Sequence, residues 1–306
     1  MPLEKSSKSV VRALGFAVSL VCCLYVVGEL IYDDSVLTSG FSIQFLGPLV
    51  GATVCWIFVN AALGVGWASV VRALGHEMDF KASIFLAFRT QFAKYLPGNV
   101  FHHVGRVVFA KQQGLKASTA TTATVLESIL LLLLAGLLGV SFLFNQGYAL
   151  TAFAIAAAGT ILLSVALIHP LLRSRLGLSE SIRVGHLPWG IVASLFYGGV
   201  FFLQAFMFLL FAGVLSQPIQ LGFVQILEMV SVTWAAGFVV IGAPGGLGVR
   251  EAAFSLFSET PQMKMSFLFV ASWMRVSSIL GDLVCFGLSI LFLKSPVDTK
   301  SNGKSR

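Results

Sequence analysis

Six runs of this chain, about 10–32, 43–73, 117–144, 148–169, 187–215 and 265–293, are apolar for longer than a soluble domain tolerates. A helix crossing a bilayer needs about 20 apolar residues. Hydrocarbon offers no water to backbone N–H and C=O groups, so a crossing segment must bond internally, as a helix does. Charge is as scarce as the runs require. Only 11% of the 306 residues are charged, against about 25% in an ordinary soluble domain. So few charges cannot cover a water-facing surface, which excludes a soluble enzyme. The expected fold class is an all-α polytopic membrane protein, with a single membrane domain over 1–293 and a basic, disordered tail over 294–306.

The run at 10–32 follows a basic stretch, as in a signal peptide. It is long for such a segment and lacks a small-x-small cleavage site, so it reads as a retained first helix. The net charge of +7 would suggest nucleic acid for a soluble protein. In a membrane protein Lys and Arg collect in cytoplasmic loops, and no nucleic-acid partner is expected. Cys22, Cys23, Cys55 and Cys285 lie inside apolar runs without metal-ligand spacing and read as packing residues. The run at 43–73 carries Gly47-x-x-x-Gly51 and Asn60-x-x-x-Gly64-x-x-x-Ala68, spacings that let helices approach closely.

Two segments break the pattern. Residues 82–96 are apolar with Arg89, Gln91 and Lys94 interspersed. As a helix they reach about 22 Å, short of a roughly 30 Å hydrocarbon core. Pro97-Gly98-Asn99 stops the helix, and 100–113 form a second short amphipathic piece with Arg106 and Lys111. Short helix, break, short helix reads as a re-entrant hairpin that enters and leaves on one side. Residues 222–242 carry Glu228 and lead into Ala243-Pro244-Gly245-Gly246-Leu247-Gly248-Val249-Arg250-Glu251, with a short apolar piece at 252–258. The expected hairpin tips are Pro97 and Gly98 in the first segment, and Pro244, Gly245, Gly246 and Gly248 in the second.

The halves, about 43–144 and 187–293, echo each other. Each has a long helix, a Pro-Gly break, an arginine past the break (Arg106, Arg250) and a long helix with an internal charge (Glu127, Arg275). If both breaks are re-entrant, the chain has about six spans and two hairpins, with both termini on one side. Of the 20 Lys and Arg residues, only Arg250, Lys264 and Arg275 then fall away from that face. This satisfies the positive-inside rule and makes the hairpins enter from opposite sides, an inverted repeat of the kind common in secondary transporters. The alternative is seven spans, with 222–242 crossing fully. It places the basic tail outside, against that rule.

A charge at bilayer depth is costly unless paired or wetted, and marks a functional candidate. Such charges here are Arg89, Arg106, Glu127, Glu228, Arg250, Glu251, Arg275 and Asp282. The expected site is a polar cavity where the tips meet. Arg106, Arg250 and Arg275 would hold an anionic headgroup, because guanidinium matches phosphate bidentately. Glu127, Glu228 and Glu251 would pair with them, receive a cationic headgroup or take up a proton. Helix starts after the two breaks would add N–H donors. The alternative for any one of these charges is a pairing that only fixes helix register. Gly245-Gly246-Leu247-Gly248 fits no nucleotide-binding pattern. His102 and His103 diverge by about 100° on a helix and read as interfacial residues rather than metal ligands. Trp56, Trp67, Trp189, Trp234 and Trp273 read as packing or interface anchors. No nucleophile–base spacing is present, so no enzyme activity, cofactor or metal is expected.

Tyr95-Leu96-Pro97-Gly98 with Gly105-Arg106 and the later Glu127, and Pro244-Gly245-Gly246-Leu247-Gly248-Val249-Arg250-Glu251-Ala252, resemble the lysylphosphatidylglycerol synthase transmembrane-region, or flippase-like, family. The resemblance covers about 10–293. It departs at Asn99 and His102-His103, where that family is richer in small residues. In that family the membrane region of the multiple peptide resistance factor is taken to move lysylphosphatidylglycerol between leaflets, fused to a cytosolic aminoacyl-transfer domain. The resemblance implies a stand-alone flippase-like unit in a cell membrane, in bacteria the inner one, with cytoplasmic termini. Its substrate would be an anionic or zwitterionic phospholipid or a polyprenyl-phosphate-linked lipid. Implied partners are membrane lipids, an envelope glycosyltransferase or lipid-modifying enzyme, and a second copy of the chain. The competing expectation is a non-catalytic membrane partner of such an enzyme.

Overall fold

The computed structural model describes residues 16–29, 31, 43–96, 100–143, 187–215, 219–240 and 242–292. The expected crossing at 148–169, the tips Pro97 and Gly98, and the tail 294–306 lie outside the described residues, as does the start of the first run. Among the described residues the fold is all-α, with no strand. The helices are α1 (Phe16–Glu29), α2 (Leu46–Ala73), α3 (Phe80–Gln91), α4 (Phe101–Gln112), α5 (Ala117–Leu143), α6 (Leu187–Ala212), α7 (Phe223–Val239), α8 (Val249–Ser255) and α9 (Pro261–Phe292). Four stretches are long and apolar enough to cross a membrane: Ile43–Ala73, Ala117–Gly139, Pro188–Ala212 and Pro261–Leu291. The chain is a membrane-embedded helical protein.

Local chemistry sets the helix limits. Asp79 caps α3, its carboxylate accepting from the Ala82 N–H at 2.8 Å. α3 tightens into a 3-10 turn over Phe92–Tyr95 as the chain approaches Pro97. α9 begins at Pro261, four residues before the apolar run suggests. Proline suits a first helical position, and the Thr260 hydroxyl accepts from the Met263 N–H at 3.2 Å.

Small residues set the closest approaches. Gly51 of α2 faces Leu210 of α6, and Gly66 faces Tyr197. Numbers rise along one helix as they fall along the other, so these two long helices run antiparallel. They are the corresponding helices of the two halves, which are therefore inverted relative to each other. Exchanging the halves preserves the packing. α3 lies on α9 as α7 lies on α5, and α2 lies on α9 as α6 lies on α5. α4 lies on α5 as α8 lies on α9, and the 3-10 turn at Phe92–Tyr95 meets the one at Pro244–Gly246.

α7 bears on the seven-span alternative. Its 17 residues reach about 25 Å, it ends at Val239, and the 3-10 turn Pro244–Gly246 that follows has Gly245 and Gly246 buried. The chain turns inside the protein, as a hairpin does. α1 backs this turn: the Ser19 hydroxyl donates to the Leu247 carbonyl at 2.6 Å. Lys264 of α9 pairs with Glu29 at the far end of α1.

A Cβ at Gly64 would sit 2.6 Å from Ile84 Cα, whereas one at Gly47 meets nothing within 4 Å. Gly64→Val is expected to force α2 from α3 and lower stability by about 1–3 kcal/mol. Gly47→Ala is expected to leave it unchanged. Thermal unfolding of the two variants in one detergent checks both.

Candidate functional site

The turn after α3 carries Lys94 and Tyr95 to Asp282, which is fully buried on α9. Four donors converge on this carboxylate: Trp56 Nε1 at 2.9 Å, Asn60 Nδ2 at 2.9 Å, Tyr95 Oη at 2.8 Å and Lys94 Nζ at 2.7 Å. The first break is thereby tied to both α2 and α9.

Each half then builds an ion pair between the short helix after its break and the long helix that follows. Arg106 of α4 pairs with Glu127 of α5, both buried. Glu251 of α8 pairs with Arg275 of α9 at 2.7 Å. The two pairs occupy matching places in the repeat with their signs exchanged. Arg275 also donates to the carbonyls of Gly245 and Gly246, at 3.1 and 3.2 Å. Both glycines adopt the left-handed backbone, with φ of 59° and 73°, which glycine takes without steric cost. The second break thus turns two carbonyls inward, to a buried guanidinium that needs acceptors.

Arg250 is different. Its guanidinium lies 5.5 Å from the Trp234 ring and its stem packs against Gly237. Among the described residues it has no carboxylate partner, and its Nε has no hydrogen bond.

These groups surround a cavity of about 80 Å³. The first half contributes Gln91, Lys94, His102, His103, Arg106 and Glu127, and the second contributes Gly245, Arg250 and Arg275. A neighbouring cavity of about 40 Å³ is lined by Thr233, Glu251 and Ser278. Trp56, Gln204, Trp234, Arg250 and Arg275 line both cavities and form the wall between them. A single water needs about 10–15 Å³ on this measure, so the larger space holds several.

Arg106, Glu127, Gly245, Arg250 and Arg275 are thus brought together, with Glu251 one layer behind. Gly246 stands at the break, its carbonyl on Arg275. Glu228 is elsewhere: it lies on α7 where α7 crosses Gly139 of α5, and it lines neither cavity. Gly248 packs on Ser19 and Cys23 of α1, away from the cavity. Arg89 lies over the Phe109 ring at 4.6 Å, joining the two arms of the first hairpin.

Sequence reasoning missed several lining residues. Lys94, counted among loop charges, is interior, where the Asp282 carboxylate of α9 holds it. His102 and His103 are cavity residues, which sequence reasoning did not foresee. Their rings lie 3.8 Å apart and both line the larger cavity. Trp56 and Trp234 line it too, so they are more than packing anchors. Adjacent histidines past a helix break, beside an arginine, were the one available signal.

No protein-family model matches the chain, and no curated protein matches it.

Asp282→Asn leaves Lys94 buried without its counter-charge, and a broken buried pair costs about 3–5 kcal/mol. The variant is expected to unfold at clearly lower temperature in detergent. Adding Lys94→Met is expected to recover much of that loss. Comparing unfolding midpoints of the single and double variants checks the pairing.

Proposed function

We propose that this chain moves a lipid between leaflets, passing the phosphate-bearing headgroup through the interior cavity while the tails stay in hydrocarbon. The substrate class is an anionic or zwitterionic phospholipid or a polyprenyl-phosphate-linked lipid. Arg250 carries the reading. A guanidinium held inside a membrane protein without a carboxylate is costly, and a phosphate oxygen pair is the group it fits best. The resemblance to the flippase-like family points the same way. The weight of basic residues on one face supports cytoplasmic termini and a cell-membrane location.

The inverted repeat suggests the route. Two cavities share a wall that contains Arg250 and Arg275. A phosphate on Arg250 reaches either cavity by a side-chain movement of a few ångströms, provided the two breaks open in turn. Ion pairs Arg106–Glu127 and Glu251–Arg275 keep the rest of the interior neutral during this exchange. The larger cavity must expand to admit a headgroup.

Translocation is measured in vesicles reconstituted with the full chain, using a fluorescent lipid reduced from outside. Arg250→Ala is expected to slow it about tenfold or more, and Arg250→Lys to retain part of it. An unchanged rate in a folded Arg250→Ala protein contradicts the proposal.

A further inference from the structure

The larger cavity is unequal in charge and in hydrogen bonding, and the two inequalities are independent. Lys94, Arg106, Arg250 and Arg275 line it. Glu127 lines it as well, and Asp282 and Glu251 hold Lys94 and Arg275 from behind. Every cation there but Arg250 has its own carboxylate among the described residues. The surplus is one positive charge.

Hydrogen bonding is lopsided as well. Gln91 Oε1, His102 Nδ1 and His103 Nδ1 are buried without partners, and all three residues line this cavity. Arg106 Nε and Arg250 Nε are donors without partners. Buried polar groups are almost always satisfied, so a cluster of orphans facing one space points to what fills it. The histidine nitrogens accept or donate according to tautomer, whereas the Gln91 oxygen is an acceptor.

Resting on the translocation reading, we infer that the group carried is a singly charged phosphodiester whose headgroup bears hydroxyls. One negative charge cancels the Arg250 surplus. A phosphomonoester or diphosphate brings two or more, leaving an uncompensated negative charge in the protein interior. A zwitterion leaves the surplus in place and adds an ammonium to a positive cavity. Choline in addition has no N–H or O–H for the orphan Gln91 oxygen. Hydroxyls donate to Gln91 Oε1, and they adapt to either histidine tautomer. Two sources share this chemistry: a glycerol-headed phospholipid and a polyprenyl-phosphate sugar.

The test uses the full chain in detergent and reads binding by native mass spectrometry. The probes are dioctanoyl phosphatidylglycerol and farnesyl-phosphoryl mannose, set against dioctanoyl phosphatidylcholine, phosphatidylethanolamine and phosphatidic acid, and against farnesyl diphosphate. At least one of the first two is expected to bind about tenfold more tightly than all the others, and the tighter of them identifies the source. Gln91→Leu is expected to erase most of that preference, and Arg250→Ala most of the binding. The ligand series on the unaltered protein does not depend on how well a variant folds. Equal binding of the choline or ethanolamine lipid, or tighter binding of the monoester or diphosphate, overturns the inference. The same probes are then followed in vesicles. Arg250-dependent movement without headgroup preference overturns this inference and leaves translocation standing. No Arg250-dependent movement of any probe overturns both.

Discussion

A buried charge in this protein must find its opposite, and Asp282 shows how much structure that requirement organises. The carboxylate has no exposure, so it has lost all hydration. In exchange it takes donors from Trp56 and Asn60 of α2 and from Lys94 and Tyr95 of the turn after α3. A chain break inside a membrane protein leaves backbone groups unbonded and would drift towards water. Here the first break is anchored by side chains to two long helices. The second is anchored by Arg275 through the carbonyls of Gly245 and Gly246. Without those anchors there is no fixed interior meeting point, and no cavity between the breaks.

The repeat explains why the interior is nearly neutral and why it is not quite so. Each half supplies one ion pair in the same structural place, with the signs exchanged. Such pairs offer little net stability, because desolvation consumes most of the attraction. Their effect is to keep polar side chains at depth without inviting an ion. The Lys94–Asp282 pair belongs to the first break, and Arg250 to the second. Departure from symmetry is what leaves a guanidinium unpartnered, and the proposed site follows from that departure.

The sequence was legible where its signal was long. Runs such as 43–73 and 117–144 specify crossing helices by length and hydropathy, and Pro-Gly between two short apolar pieces specifies a break. Arg106, Glu127, Arg250 and Arg275 stood out because charge is rare in such runs, and the fold brings them together. What was not legible depends on tertiary direction. Lys94 looks like a loop charge until α9 places Asp282 beside it. Adjacent histidines should point apart on a helix, yet both rings turn to one cavity. That the carbonyls of Gly245 and Gly246 face inward is decided by Arg275, thirty positions on. Glu228 was drawn into the site on its charge alone, and α7 carries it to the α5 contact instead.

The central claim is that the two broken segments enter from opposite faces of the membrane and meet inside. Gln113, just beyond α4, and Glu259, just beyond α8, are both exposed. Single cysteines at these positions, in a chain with its four native cysteines replaced, can be labelled in sealed vesicles with a membrane-impermeant maleimide. The account requires one position to react from outside and the other only after the vesicles are opened. Reaction of both from the same side would contradict it.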